Sequence, residues 1–190
     1  PDMLAIARRK IKALGAEAAA RVTLVEGDMR QFSLPQRFRL AMIPYRAFLH
    51  LLTPQDQRAA LTCIHAHLAA DGLLVLNIFD PRLDIIVERM GSLGGAHTYL
   101  WREITHPQNG HRVLVSDTRR YDPAEQRLEQ HWILEELDET GRVVAKHYAP
   151  LTLRYIYRYE MAHLLELCGF RVEALYGDLG RGPFRYGGEQ

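Results

Sequence analysis

The sequence predicts an α/β domain of the doubly wound kind with an antiparallel β-meander inserted into it, on three grounds. Helical and strand patterns alternate through the first half of the chain in the order helix, strand, strand, helix, strand. Residues 73–79 form an almost unbroken apolar run, as expected of a strand covered on both faces of a parallel sheet. From residue 99 to 153 the pattern changes to extended runs parted by Asn109-Gly110, Asp122-Pro123 and Thr140-Gly141, which is the turn chemistry of successive hairpins.

Each element has its own signal. Met3, Leu4, Ala7, Ile11 and Leu14 share one side of a helix over residues 1–14, with Pro1 suited to its first turn and Gly15 to its C-terminal cap. Val22, Leu24 and Val25 form a short β-prone run, residues 22–26, which Gly27 closes. Residues 38–43 are a second apolar run ended by Pro44, and Thr53 followed by Pro54 opens a helix that continues to residue 68. Asp71-Gly72 turns the chain into strand 73–79, and a short helix runs to Met90 ahead of the glycine-rich residues 91–95. Strands are expected at 99–104, 112–121, 127–137 and 142–153, then a helix at 159–168 capped by Gly169 and a last strand at 170–176.

Composition narrows the function. Of 190 residues 47% are hydrophobic and 25% charged, enough apolar material for one core. Lys+Arg 24 against Asp+Glu 23 leaves a charge of +1 with no basic run, so neither nucleic acid nor an anionic membrane surface is expected as a partner. No apolar run reaches the roughly 18 residues of a membrane span, and Pro1-Asp2-Met3 has no signal-peptide form. Cys63 and Cys168 lie far apart among apolar residues, which suits buried free thiols in a reducing cytoplasm. His97, His106, His111, His131 and His147 lack ligand spacing, so no metal is expected.

The candidate chemistry begins at Asp28, which the pattern places at the carboxyl end of strand 22–26. Ligands of open α/β sheets bind outside such ends, so its carboxylate could accept from an exocyclic amine while Met29 covers a flat ring. The alternative is a Gly-Asp turn that only ends a strand. His50 is a titratable group able to take a proton from a hydroxyl or amine, or else a structural helical histidine. Arg154, Tyr157 and Arg158 belong to a dense aromatic-basic run that could hold a carboxylate or phosphate through an arginine fork, or else form a solvated strand edge.

Several stretches taken together carry a family resemblance. They are Pro1-Asp2-Met3-Leu4-Ala5-Ile6-Ala7-Arg8, Glu26-Gly27-Asp28-Met29, the segment 43–52 with Phe48-Leu49-His50-Leu51, Leu68-Ala69-Ala70-Asp71-Gly72-Leu73-Leu74, and Leu164-Leu165-Glu166-Leu167-Cys168-Gly169-Phe170. In order and spacing they resemble the class I S-adenosylmethionine-dependent methyltransferases that act on small molecules. The resemblance implies a Rossmann-like core over residues 1–96, an acceptor-side lid over 97–153 and a return to the core over 154–190. It implies S-adenosyl-L-methionine as cofactor, with Asp28 and Met29 at the adenine, and Ile43, Pro44 and Tyr45 facing the sulfonium. An aromatic face near a cation contributes about 0.5–2 kcal/mol, so Tyr45 could act there; a partly buried tyrosine is the plainer reading.

The family's Gly-rich loop and ribose-holding acidic residue would precede Pro1, so the chain reads as an internal fragment. It is expected to bind cofactor poorly by itself and to self-associate through unpaired strands. Methyl transfer to an oxygen, nitrogen or carbon of a small-molecule acceptor is the leading function. A non-catalytic binding or scaffold protein with the same fold is the competing one. A nicotinamide-dependent oxidoreductase is weaker, for it too needs a Gly-rich loop and has no plausible catalytic Tyr-Lys pair.

Overall fold

The computed structural model describes residues 2–89 and 98–186. Two helices, α1 (Asp2–Ala13) and α2 (Ala16–Ala20), precede strand β1 (Phe38–Ile43), a 3-10 turn (Ala47–His50), helix α3 (Pro54–His67), strand β2 (Leu68–Leu76) and helix α4 (Leu83–Arg89). Strands β3 (Tyr99–Thr105), β4 (Arg112–Asp122), β5 (Arg127–Leu137) and β6 (Val143–Arg154) follow, then helix α5 (Arg158–Leu167). β1 and β2 pair in parallel, joined by α3; β3 to β6 form a four-stranded antiparallel meander.

The capping chemistry appears where the sequence places it. Thr53 is the N-cap of α3, its hydroxyl accepting from the Asp56 amide at 3.1 Å with Pro54 in the first turn. Gly169 follows α5 at φ +86°, a left-handed position natural to glycine. The hairpin turns carry positive φ at Gly110, Gly141 and Gln126.

One core joins both sheets. Ile43, Phe48, Leu49, Leu61, Phe79, Tyr121, Leu128, Leu153, Tyr155 and Ile156 pack in one cluster, so the end of the meander nearest Tyr121 sits on the 3-10 turn that follows β1. Phe48 and Leu49 of that turn are fully enclosed. No helix among the described residues is long and apolar enough to cross a membrane.

Several expectations are corrected. Residues 22–27 form no strand and join no ladder, and Val22 and Val25 are exposed. Asp28 therefore sits in a turn, bridged only to Gln31, and not at a strand end. Residues 170–175 likewise form no strand; only Tyr176 bridges, to Pro183.

Strand β2 starts at Leu68 and ends at Leu76, with Asp71-Gly72 inside an irregularity between the pairs Phe38–Leu68 and Leu40–Leu73. A Cβ on Gly72 would lie 2.9 Å from the Phe38 carbonyl oxygen, so the close approach needs glycine. Only one face of the β1–β2 pair is covered: Leu40, Met42, Leu73 and Val75 are exposed, while Ala41, Ile43, Leu74 and Leu76 pack inward. Both cysteines are free and half-buried rather than buried. The apolar stripe of α1 forms as a helix, but none of its residues is buried. Residues 91–95 lie outside the described residues.

Candidate active site

The carboxyl ends of β1 and β2 lie side by side, since the Asn77 amide donates to the Ile43 carbonyl at 3.2 Å. Tyr45 and Arg46, the residues that turn the chain there, both have left-handed backbones, φ 54° and 61°. Such conformations cost about 1–3 kcal/mol each for residues with a Cβ, and the surroundings must hold them. They do so here through the Arg46 amide, which donates to Asn77 Oδ1 at 3.2 Å, and the Arg46 guanidinium, which lies 5.4 Å from the Phe79 ring centre. Tyr45 is left 95% exposed and Pro44 is exposed beside it, whereas Ile43 is buried at 8% and its side chain belongs to the core. His50 ends the 3-10 turn with its side chain exposed, because Phe48 and Leu49 take the inward positions.

Asp28 is held by Arg30. The Arg30 amide donates to Oδ1 at 2.9 Å and its guanidinium to both carboxylate oxygens, the shortest distance being 2.6 Å. That accounts for about four acceptor positions, the whole capacity of a carboxylate. Arg30 also donates to Asp56 at 2.9 Å. The guanidinium holds both carboxyls below their usual range, and Arg30 is itself pushed up by the two. Met29 is half-buried against the core. The open groove of about 940 Å³ next to this clasp is lined by Arg30, Phe32, Arg58, Thr62 and Cys63 among others, and Ile43, Pro44 and Tyr45 do not line it. Asp28 and the β1 end thus do not share that cavity.

An adenine amine fits Asp28 only after Arg30 turns away. Arg30 keeps Asp56 as a partner when it does so, and an exposed pair of this kind is weak. The wall of the groove is firm: the Leu34 amide donates to His67 Nε2 at 3.1 Å, which leaves Nδ1 as the donor to the Cys63 carbonyl at 2.8 Å.

On the meander side, Asp117 is fully enclosed, 0% exposed, and accepts from Trp101 Nε1 at 2.6 Å, Arg119 Nε at 2.6 Å and Gln130 Nε2. Arg119 lies 4.9 Å from the Trp101 ring centre, and Trp101 tilts against Trp132 at 5.7 Å. Tyr121, Tyr155 and Tyr157 form a ladder with successive centroids 5.9 Å apart. Tyr155 is 1% exposed, its hydroxyl has no hydrogen-bond partner among the described residues, and burial pushes it up to about 12. Asp80, four residues past the end of β2, has its carboxyl raised by burial, against the pull of Arg158.

The aromatic-basic run divides. Arg154 is 7% exposed and donates to Gln57 at 3.2 Å, Gln126 at 2.6 Å and Glu160 at 2.8 Å, so its fork joins β6, α3 and α5. Tyr157 is the N-cap residue of α5, and Arg158 is exposed between the rings of Tyr159 and Phe184, at 5.1 and 5.2 Å. Arg46, Asp80, Asp117 and Arg119 escaped the sequence reading. The alternation of β4, which puts Asp117, Arg119 and Tyr121 on one face, was the one available signal.

A family model described as a methyltransferase domain matches residues 1–72. No curated protein matches the sequence significantly. Among solved structures, the chain is similar to the CcbJ methyltransferase from Streptomyces caelestis, with TM-score 0.72 and 19% identity over 95% of this chain and 65% of that one. It is similar to an S-adenosylmethionine-dependent methyltransferase from Clostridium acetobutylicum, with TM-score 0.73 and 10% identity over 99% and 68%. A third is CalS10 from Micromonospora echinaspora, an amino pentose methyltransferase solved with S-adenosylmethionine bound, with TM-score 0.57 and 25% identity over 82% and 60%. The chain therefore spans about two thirds of the length of these structures. Its fold is that of the Rossmann-like S-adenosylmethionine-dependent methyltransferases, carrying an antiparallel meander, and the resemblance read from the sequence stands.

Proposed function

We propose that the protein takes part in methyl transfer from S-adenosyl-L-methionine to a nitrogen, oxygen or carbon of a small-molecule acceptor, in the cytoplasm. The observation that carries this reading is the methyltransferase-like fold, which sets the carboxyl ends of β1 and β2 side by side, with the left-handed turn at Tyr45 and Arg46 directly after β1. When bound, the cofactor supplies a methyl group already activated as a sulfonium, so the protein's share is orientation and proton handling. Asp28 and Met29 hold the adenine, and Pro44 and Tyr45 border the reacting end. The meander, residues 97–153, serves as the acceptor-side lid.

Asp80 takes the proton that an amine or hydroxyl acceptor loses, since a carboxyl raised by burial is a better base than an exposed one. The Tyr155 hydroxyl, buried with no hydrogen-bond partner among the described residues, is poised to bond an acceptor atom or a water beside it. His50 is the other candidate base, although its side chain faces solvent. Tyr157 and Arg158 line the outer rim, while Arg154 acts through the frame it ties. CalS10 acts on an amino pentose, so amino sugars are the first acceptors to try.

The competing reading, a binding protein that keeps the fold without transfer, is favoured by one observation: Arg30 fills the acceptor positions of Asp28. Radiolabelled methyl transfer by the protein expressed from its natural open reading frame separates the two. Turnover that falls at least tenfold in Asp80→Asn, and less in His50→Gln, is the expected result. Cofactor binding without transfer to any acceptor overturns the enzyme reading.

A further inference from the structure

We infer that the methyl acceptor carries a planar aromatic ring, which stacks on the exposed indole of Trp101. The inference deepens the methyl-transfer reading: it takes the meander as the acceptor-side lid and names the class of molecule that the lid receives.

Trp101 is the extra residue of a bulge. Leu100 pairs with Ser116 and Arg102 with Val115, so Trp101 has no partner on β4, and β3 is an edge strand of the meander. A bulge in an edge strand bends the strand and re-aims a side chain. Here the indole reaches over β4: its Nε1 donates to Asp117 at 2.6 Å, its ring centre lies 4.9 Å from the Arg119 guanidinium, and its centroid is 5.7 Å from that of Trp132. Asp117 pairs with Trp132, Arg119 with Gln130 and Tyr121 with Leu128, which sets these six residues on one face of the sheet. Tyr121 and Leu128 belong to the core. The indole therefore stands on the core-facing side of the meander, about 13 Å along β4 from the Tyr121 junction.

Trp101 is fixed and yet open. Its one polar side-chain atom is spent on a fully enclosed carboxylate, while the residue stays 54% exposed. Arg119 Nε, at 2.6 Å, and Gln130 Nε2 are committed to the same carboxylate. What the cluster turns to solvent is thus a flat ring whose orientation is locked by buried hydrogen bonds. A sugar or other polyol gains little on such a surface, because its hydroxyls would give up water beside polar atoms that are already taken. A saturated ring is puckered and touches the indole at a few hydrogens only. An aromatic ring lies flat with its quadrupole offset against that of the indole, and a platform held in place beforehand loses no rotamer freedom on binding. An amino sugar meets the requirement when it carries an aryl group.

Trp101 and Trp132 are the chain's two tryptophans, so indole signals report on this cluster alone. The isotope-labelled chain is titrated with phenol, cyclohexanol and methyl glucoside in the absence of cofactor, so a failure here and a failure of the methyl-transfer reading are separate events. The Trp101 indole N–H resonance, assigned by its loss in Trp101→Phe, should shift saturably with phenol and several-fold less with either of the other two. Saturation transfer to the phenol ring protons should fall tenfold or more in Trp101→Leu, and several-fold in Trp101→Phe, which keeps a ring but loses the bond to Asp117. Thermal melting checks that each variant is folded, and the contrast among the three ligands on the wild type stands whether or not Trp101→Leu folds. No saturable shift with phenol, an equal response to cyclohexanol or methyl glucoside, or undiminished transfer in folded Trp101→Leu overturns the inference.

Discussion

At Tyr45 the sequence offers a tyrosine beside a proline and the structure gives it a left-handed backbone with almost no packing. The contacts that hold the turn belong to Arg46 and not to the Tyr45 side chain, so glycine at Tyr45 should relieve the strain. Tyr45→Gly is expected to raise stability by about 1 kcal/mol in thermal denaturation while lowering methyl transfer. Loss of stability would mean that the exposed ring packs more than its surroundings indicate. Asp80 makes a second residue-scale prediction with a pH sign. Its folded carboxyl is raised, so its contribution to stability is present below the ordinary aspartate value of about 3.9 and is lost as pH rises through the raised value. Asp80→Asn should therefore melt higher than wild type at pH 8, with the gap closing towards pH 3. A gap that widens on acidification would reverse the sign of the argument. Little of this was legible in the sequence, because strain and desolvation depend on what a residue meets in space.

At the scale of elements the sequence was far more legible. β1 and β5 match their expected bounds residue for residue, and the Thr53 cap opens α3 as the Thr-Pro pair indicates. The failures at 22–26 and 170–176 share a cause: β-prone residues favour a strand, but a ladder needs a neighbouring strand, and neither segment has one among the described residues. Arg154, a candidate ligand fork in the sequence, shows a different limit. An alternating strand leaves open which partner an arginine finds, and here Gln57, Gln126 and Glu160 claim it. Arg154→Met should cost about 3 kcal/mol by leaving buried polar partners unpaired, whereas exposed Arg158→Ala should cost under about 0.5 kcal/mol. Denaturant unfolding of the two variants checks the contrast, and similar midpoints would show that the frame does not depend on Arg154.

Across the whole molecule, a well-buried meander junction contrasts with an open α/β half. Leu40, Met42, Leu73 and Val75 make one contiguous apolar face on a two-stranded sheet, an arrangement marginal in water. The chain expressed by itself is expected to self-associate through this face, and Met42→Glu should shift sedimentation velocity towards monomer. A monomeric wild type at tens of micromolar would count against it. The alternation of β1 is readable in sequence, but which face stays uncovered is decided by how many layers assemble around it.

The central proposal is that one cofactor reaches from the turn at Asp28 to the β1 end at Tyr45, beyond the groove beside Arg30. Ultraviolet crosslinking of methyl-tritiated S-adenosylmethionine to the protein from its natural reading frame, followed by peptide mapping, tests it most directly. The label is predicted within residues 22–52 and to be lost with excess unlabelled cofactor; saturable label confined to the meander, residues 99–154, would contradict the account.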